Sequence, residues 1–337
     1  MKRICIILAF VLISVFCVSC KPSNPADSSN PSSDNTSSSV SPVNISIPES
    51  LVYSFDIVEH SERYSYEGKF VASFENYFIC ENILYSFENN TVKKVTELTG
   101  IGDVLTTEFV IRNNCIYYAA EQDKSDADNS NIYKRNLIDN TEEIIYEGYV
   151  FFIKLKDDLI YFNGYNSKAS GCRLGVIDAN DNVSFVGSLQ LGLYDTYGDL
   201  AFVNDEMFLH YDGYITKWNS NINLSILDIN AIYSGKNEIY TARKDLDADE
   251  FQFFVCDTSL EKATKFAECD MYVRGYAFGD RKVVYLTDNG VLCITDGVET
   301  KMLLTGLSKD IISWQIIDDT FYWFVSSDNH GTVKLKQ

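Results

Sequence analysis

The chain has 337 residues, with 28 Lys and Arg against 48 Asp and Glu, a formal net charge of −20. So acidic a protein is poorly suited to nucleic acid or an anionic membrane surface, both of which are polyanions. Its 22 Tyr and 21 Phe argue for a folded, strand-rich body.

At the N-terminus, Lys2 and Arg3 precede a run from Ile4 to Val18 that is apolar apart from Ser14. A short basic start followed by such a run is the pattern of a secretory signal. At about fifteen residues it is short for a membrane-spanning helix, which needs roughly twenty. The run closes on Val18-Ser19-Cys20, followed by Lys21-Pro22. An apolar residue, a small residue and a Cys in this order resemble the lipobox of bacterial lipoproteins, with Cys17 standing where Leu is usual. The resemblance implies a signal peptide over 1–19 and a fatty-acyl (palmitate-type) anchor on Cys20. It also implies export to the outer side of a bacterial membrane.

Residues 20–49 are dominated by Ser, Asn, Pro and Asp. Such a segment cannot bury enough surface to offset its ordering entropy, so a disordered tether is expected there. All five prolines (Pro22, Pro25, Pro31, Pro42 and Pro48) lie in it, and none follows. Removal of the signal would leave 26 basic and 48 acidic residues, a net charge near −22.

From residue 50 to 337 one phrase recurs: a turn of Asn, Asp, Gly or Glu, then a short β-branched and aromatic strand. It reads Glu75-Asn76-Tyr77-Phe78-Ile79, Asn113-Asn114-Cys115-Ile116-Tyr117-Tyr118 and Asp157-Asp158-Leu159-Ile160-Tyr161-Phe162. It returns at Asn204-Asp205-Glu206-Met207-Phe208-Leu209, Asn237-Glu238-Ile239-Tyr240, Lys282-Val283-Val284-Tyr285 and Asp318-Asp319-Thr320-Phe321-Tyr322-Trp323. One strand-like run precedes each phrase and two follow it. Four antiparallel strands every forty or so residues make one propeller blade. The chain is therefore expected to be all-β, a β-propeller of seven four-stranded blades. The last unit stops after its third strand, and Leu51–Val58 is a strand-like run left over at the start. Pairing the two would complete the last blade and hide its edge.

Runs such as Ile116-Tyr117-Tyr118 with Ile132-Tyr133-Lys134-Arg135 resemble bacterial propellers of unknown function, whose repeats are similar to those of low-density-lipoprotein-receptor propellers. The resemblance spans about residues 50–337 and implies a fold. The receptor family's YWTD signature does not occur.

Alternating strand direction sorts the loops onto two ends. Connections from first to second and third to fourth strand are short, as at Arg112-Asn113-Asn114, Gly235-Lys236-Asn237 and Asn219-Ser220-Asn221. The other end takes the longer segments: Glu121 to Ser130, Gly164 to Gly171, Gln190 to Asp199 and Arg243 to Asp249. Function concentrates on variable loops borne by a rigid scaffold, so a site is expected at that end. Its Tyr165, Tyr194 and Tyr197 are candidate contacts for a sugar or peptide. No cofactor is evident. Asp126 and Asp128, with Asp123, and separately Asp245, Asp247 and Asp249, offer alternating carboxylates that suit Ca²⁺, although neither is a full EF-hand loop. A solvated acidic loop is the plainer reading of both.

Six cysteines follow Cys20: Cys80, Cys115, Cys172, Cys256, Cys269 and Cys293. They form no CxxC pair and mostly sit in apolar runs, so buried thiols are expected. The three histidines, His60, His210 and His330, are joined by no spacing to a nucleophile, and GxSxG and HExxH are absent. The favoured expectation is a membrane-anchored module that binds a protein, peptide or glycan, or scaffolds an envelope assembly. A propeller-type glycoside hydrolase or lyase acting on polysaccharide is the alternative, since a propeller can bring distant carboxylates together. A purely structural envelope component is the third reading.

Overall fold

The computed structural model describes residues 47–48, 51–54, 72–80, 82–98, 109–121, 130–165, 173–188, 199–211, 213–226, 229–245, 247–270 and 273–335. A short strand β1 (Val52–Ser54) opens them. The first sheet follows as β2 (Ala72–Phe74), β3 (Tyr77–Cys80), β4 (Ile83–Glu88) and β5 (Thr91–Glu97). The second is β6 (Phe109–Arg112), β7 (Cys115–Glu121), β8 (Ser130–Asn136) and β9 (Glu142–Tyr146). The third is β10 (Tyr149–Lys156), β11 (Leu159–Tyr165), β12 (Arg173–Ile177) and β13 (Val183–Ser188). The fourth is β14 (Asp199–Val203), β15 (Glu206–Tyr211), β16 (Tyr214–Lys217) and β17 (Asn223–Ser225). The fifth is β18 (Ile229–Ser234), β19 (Glu238–Asp245), β20 (Glu250–Asp257) and β21 (Ala263–Asp270). The sixth is β22 (Val273–Gly279), β23 (Lys282–Thr287), β24 (Leu292–Thr295) and β25 (Thr300–Leu304). The seventh is β26 (Ser313–Ile317), β27 (Thr320–Ser326) and β28 (Asn329–Lys334).

Each sheet is an antiparallel meander in chain order. Successive sheets pack face to face around a ring, and the fold is a seven-bladed β-propeller. The recurring phrase of the sequence is the turn from first to second strand plus the second strand itself. At Asn113/Asn114, Asn204/Asp205, Asp280/Arg281 and Asp318/Asp319 both turn residues have φ between 47° and 63°. Two consecutive positive φ values define the type I′ hairpin, whose twist matches that of the strands it joins. Asn and Asp tolerate this region better than other side chains, which explains the phrase's opening letters.

The described part of the leftover N-terminal run, Val52–Ser54, does not pair with the last blade. Instead β1 pairs antiparallel with β22, Val52 opposite Phe278, on the inner edge of the sixth sheet. Among the described residues that sheet has five strands and the seventh has three. Either edge could satisfy the backbone of β1, so side-chain burial decides. Leu51 and Ile47 pack against a cluster of Ala277, Leu286, Trp314, Ile316 and Phe321 between the last two blades. The flank of β28 offers instead His330, Thr332 and Lys334. Residues 55–58 of the same run lie outside the described residues.

Apolar clusters fill the seams between blades, and polar bridges cross them. Tyr117, Ile132 and Tyr146 of the second blade pack on Ile153, Ile160 and Phe162 of the third. Arg112 crosses the same seam, its side chain only 3% exposed. Its guanidinium donates to the carbonyls of Asp158 (2.6 Å) and Ile177 (3.3 Å), to Tyr117 Oη (3.1 Å) and to Asp181 Oδ1 (2.7 Å). Lys134 Nζ holds the other Asp181 oxygen at 2.7 Å. Glu238 with Arg281 bridges the fifth and sixth blades, and Lys156 with Asp205 the third and fourth.

Candidate functional site

In a four-stranded meander the 1–2 and 3–4 turns share one end. Those turns are tight throughout the described residues. Four of the 3–4 turns contain or are entered by an aspartate, Asp139, Asp178, Asp257 or Asp296, whose carboxylate accepts from backbone N–H groups two or three residues on. These aspartates are consumed in turn formation, and three are held below the usual carboxylate range: Asp139 chiefly by the Thr141 hydroxyl, Asp178 chiefly by the Asn182 side-chain amide, and Asp296 by the backbone N–H groups of Glu299 and Val298. A shallow polar concavity of about 250 Å³ lies at this end, lined by Cys115, Lys134, Asn136, Thr141, Glu142 and Glu143. Burial pushes the Cys115 thiol up, so it is not a ready nucleophile.

The opposite end carries segments 122–129, 166–172 and 189–198, which lie outside the described residues together with Asp123, Asp126, Asp128, Tyr194 and Tyr197. Tyr165 is the last residue of β11 at that end, opposite Tyr149 of β10. Of Arg243 to Asp249, expected as a long loop, the first three residues continue strand β19 and 247–249 form a turn. The β19–β20 ladder continues to Asp245 opposite Glu250, because Gln252 and Arg243 extend the cross-strand pairing. Asp245 Oδ1 accepts from the N–H of Asp247 and of Ala248, both at 3.2 Å, and Oδ2 from Gln252 Nε2 at 3.0 Å. The carboxylate that would lead a Ca²⁺ loop closes a hairpin here. Asp247 is exposed and Asp249 takes φ 56°. Among the described residues no three His, Cys, Asp or Glu side chains are grouped to hold a metal ion.

The sequence reading missed a polar node that the fold builds just inside this loop-bearing end. Asp199 opens β14, only 6% exposed. Its carboxylate accepts from Leu200 N–H (2.8 Å), from Ile232 N–H of the fifth blade (2.9 Å) and from Lys154 Nζ of the third (3.1 Å). One side chain therefore ties three successive blades together. His210 sits opposite Asp199 in the β14–β15 ladder, 5% exposed, with Nδ1 enclosed and unpartnered. Burial holds its pKa below the ordinary imidazole value, against the pull of Asp199. Asn163 lies in the neighbouring seam, fully buried, with neither side-chain polar atom partnered. A neutral imidazole beside a fully engaged carboxylate fixes geometry; no nucleophile stands with it among the described residues. Strand register brings His210 beside Asp199, and packing of the third blade on the fourth brings Lys154 to it; no sequence spacing signals either.

Of the cysteines, Cys80, Cys115, Cys256 and Cys293 are buried, as expected, Cys269 is half-buried, and Cys172 lies outside the described residues. Burial lifts the Cys256 pKa to about 12.

No family model matches the chain, and no curated protein is similar to it. Solved structures do resemble it. The β-propeller domain of the Trilobed protease from Pyrococcus furiosus is 12% identical, over 79% of this chain and 94% of that one, with a TM-score of 0.51. This likeness is one of fold. The computationally designed Ika8 protein is 15% identical over 78% of this chain and 82% of its own, at a TM-score of 0.48. An acylaminoacyl peptidase in complex with Z-Gly-Gly-Phe-chloromethyl ketone is 12% identical over 75% of this chain, which spans 48% of that one, at a TM-score of 0.46.

Proposed function

We propose that this chain is an exported, lipid-anchored β-propeller whose loop-bearing end binds a protein, peptide or glycan. The observation that carries the reading is the asymmetry of the two ends. The described 1–2 and 3–4 turns are tight and closed by their own Asn and Asp residues, whereas the longer connections within a blade or between adjoining blades, 98–108, 122–129, 166–172, 189–198 and 305–312, all leave the other end. Below them the Asp199 node locks the third, fourth and fifth blades into one rigid base. A rigid base under variable loops is the usual construction of a recognition surface. The anchor rests on the sequence around Cys20, and Ca²⁺ at the acidic loops is retained only as a condition to vary.

Two measurements test this. Metabolic labelling with a palmitate analogue should mark the wild-type chain and not Cys20→Ala; equal labelling of both would remove the anchor. The full chain, cross-linked in envelope extract with and without Ca²⁺, should give cross-links that map to 122–129, 166–172 or 189–198. Cross-links confined to the tight-turn end would overturn the assignment of the binding end.

A further inference from the structure

A separate feature of the ring is the outer edge of the seventh blade. We propose that this edge is a docking site for an extended, acidic peptide segment of a partner protein, which adds to β28 as a fourth strand.

In the six other sheets the third strand is paired on both sides. β28 pairs only with β27 among the described residues. Its exposure reflects this: Asn329 and Lys334 are exposed and His330 to Val333 half-buried, whereas the third strand β24 is buried throughout. An antiparallel strand with one partner turns alternate N–H and C=O groups outward, the template that strand addition uses. Natural edges are normally blunted by proline, bulges or several charges. β28 contains no proline and one charge, Lys334, and its ladder with β27 carries a single register irregularity, between Phe324 and Ser326 at the start of the strand.

The same strand states what would suit it. His330, Thr332 and Lys334 share a face with Phe324 and Tyr322, which pack on Phe78, Tyr85 and Phe87 of the first blade. His330 Nδ1 is enclosed without a partner, and Lys334 has no ion pair among the described residues. β28 itself carries no carboxylate; the nearest in sequence, Asp328, lies in the turn before it. The second blade shows how this chain covers a basic third strand. There Lys134 and Arg135 of β8 meet Glu143 and Glu142 of the fourth strand β9. An incoming strand with carboxylates and an apolar pair, like Glu142-Glu143-Ile144-Ile145-Tyr146, meets both requirements.

Hydrogen exchange on the full chain tests the proposal, with a capped synthetic peptide of the β9 sequence, Thr141 to Glu147, as the probe. In the free chain the amides of 330–334 should exchange at least about tenfold faster than those of 292–295, as an open edge requires. The acidic peptide should slow them by about tenfold or more, and a version with Lys in place of each Glu should not. Lys334→Glu, an exposed change, should reverse that preference. Three results would overturn the proposal. One is β28 as protected as β24 without peptide, which means the chain covers its own edge. Another is no protection by either peptide. The last is protection that rises with protein concentration alone, which assigns the edge to a second copy.

Discussion

Truncating Arg112 to Ala should be among the most damaging single changes on the tight-turn end. The guanidinium is 3% exposed, donates to four oxygens across the second and third blades, and lies over the Tyr117 ring with Cζ 4.8 Å from its centroid. Breaking a buried ion pair from one side costs about 3–5 kcal/mol. Asp181 is 24% exposed and keeps Lys134 and the Tyr117 hydroxyl, which lowers the loss. The two carbonyls left unanswered raise it by about 1 kcal/mol or more. A loss of about 3 kcal/mol is therefore expected from denaturant unfolding followed by tryptophan fluorescence, with an unchanged m-value. The double variant Arg112→Ala/Asp181→Asn should show a coupling of about 1–3 kcal/mol between the two sites. Acid dependence supplies a further check. Burial alone would raise the Asp181 pKa, but Lys134, Tyr117 and Arg112 outweigh it and hold the group below its ordinary value. A depressed carboxylate stabilises the fold above its unfolded pKa of about 4 and loses that contribution as pH falls through the folded value. Part of the acid dependence below about pH 4 should thus vanish in Arg112→Ala. A loss under about 1 kcal/mol, with no coupling to Asp181, would refute the view that this bridge locks the seam.

Two further outcomes follow from the packing. His210 is buried with a lowered pKa, so the unfolded chain binds its proton first as pH drops. Stability should fall from about pH 6.5 downward until the folded-state pKa is passed. His210→Gln should remove that slope between pH 7.5 and 5.5 in the same unfolding assay, and an unchanged slope would assign it elsewhere. At Gly175 a Cβ would lie 2.2 Å from Phe162 Cζ in the seam of the second and third blades. Gly175→Ala should cost about 1–3 kcal/mol, and adding Phe162→Leu should restore part of it. Equal stability of Gly175→Ala and the wild type would show that the ring moves aside freely.

The blade count was legible because one local rule repeats. Asn and Asp accept positive φ, aromatic and β-branched residues fill the second strand, and both signals are confined to a few neighbouring residues. Asn113-Asn114 ahead of Cys115-Ile116-Tyr117-Tyr118 announces a hairpin whatever surrounds it. The candidate site was legible only as an end of the ring, since the strand order fixes which connections share an end. Its chemistry was not. Asp245 reads as a metal ligand in a run of alternating Asp, yet it accepts hydrogen bonds that close its own hairpin. His210 and Asp199 are eleven positions apart and meet only because β14 and β15 pair in that register.

The fate of the leftover strand shows the same division. Local pattern established that Val52–Ser54 is a strand. Backbone hydrogen bonding cannot say which of two edges such a strand joins, because the edges are chemically alike. Burial of Ile47 and Leu51 between the sixth and seventh blades made that choice, and it depends on side chains hundreds of residues away in sequence. The sequence by itself thus determined the blades, their number and their turns, through contacts within a few tens of residues. Only the tertiary structure decided where β1 lies and which carboxylates are already engaged, because each depends on surfaces that exist only once the ring has formed.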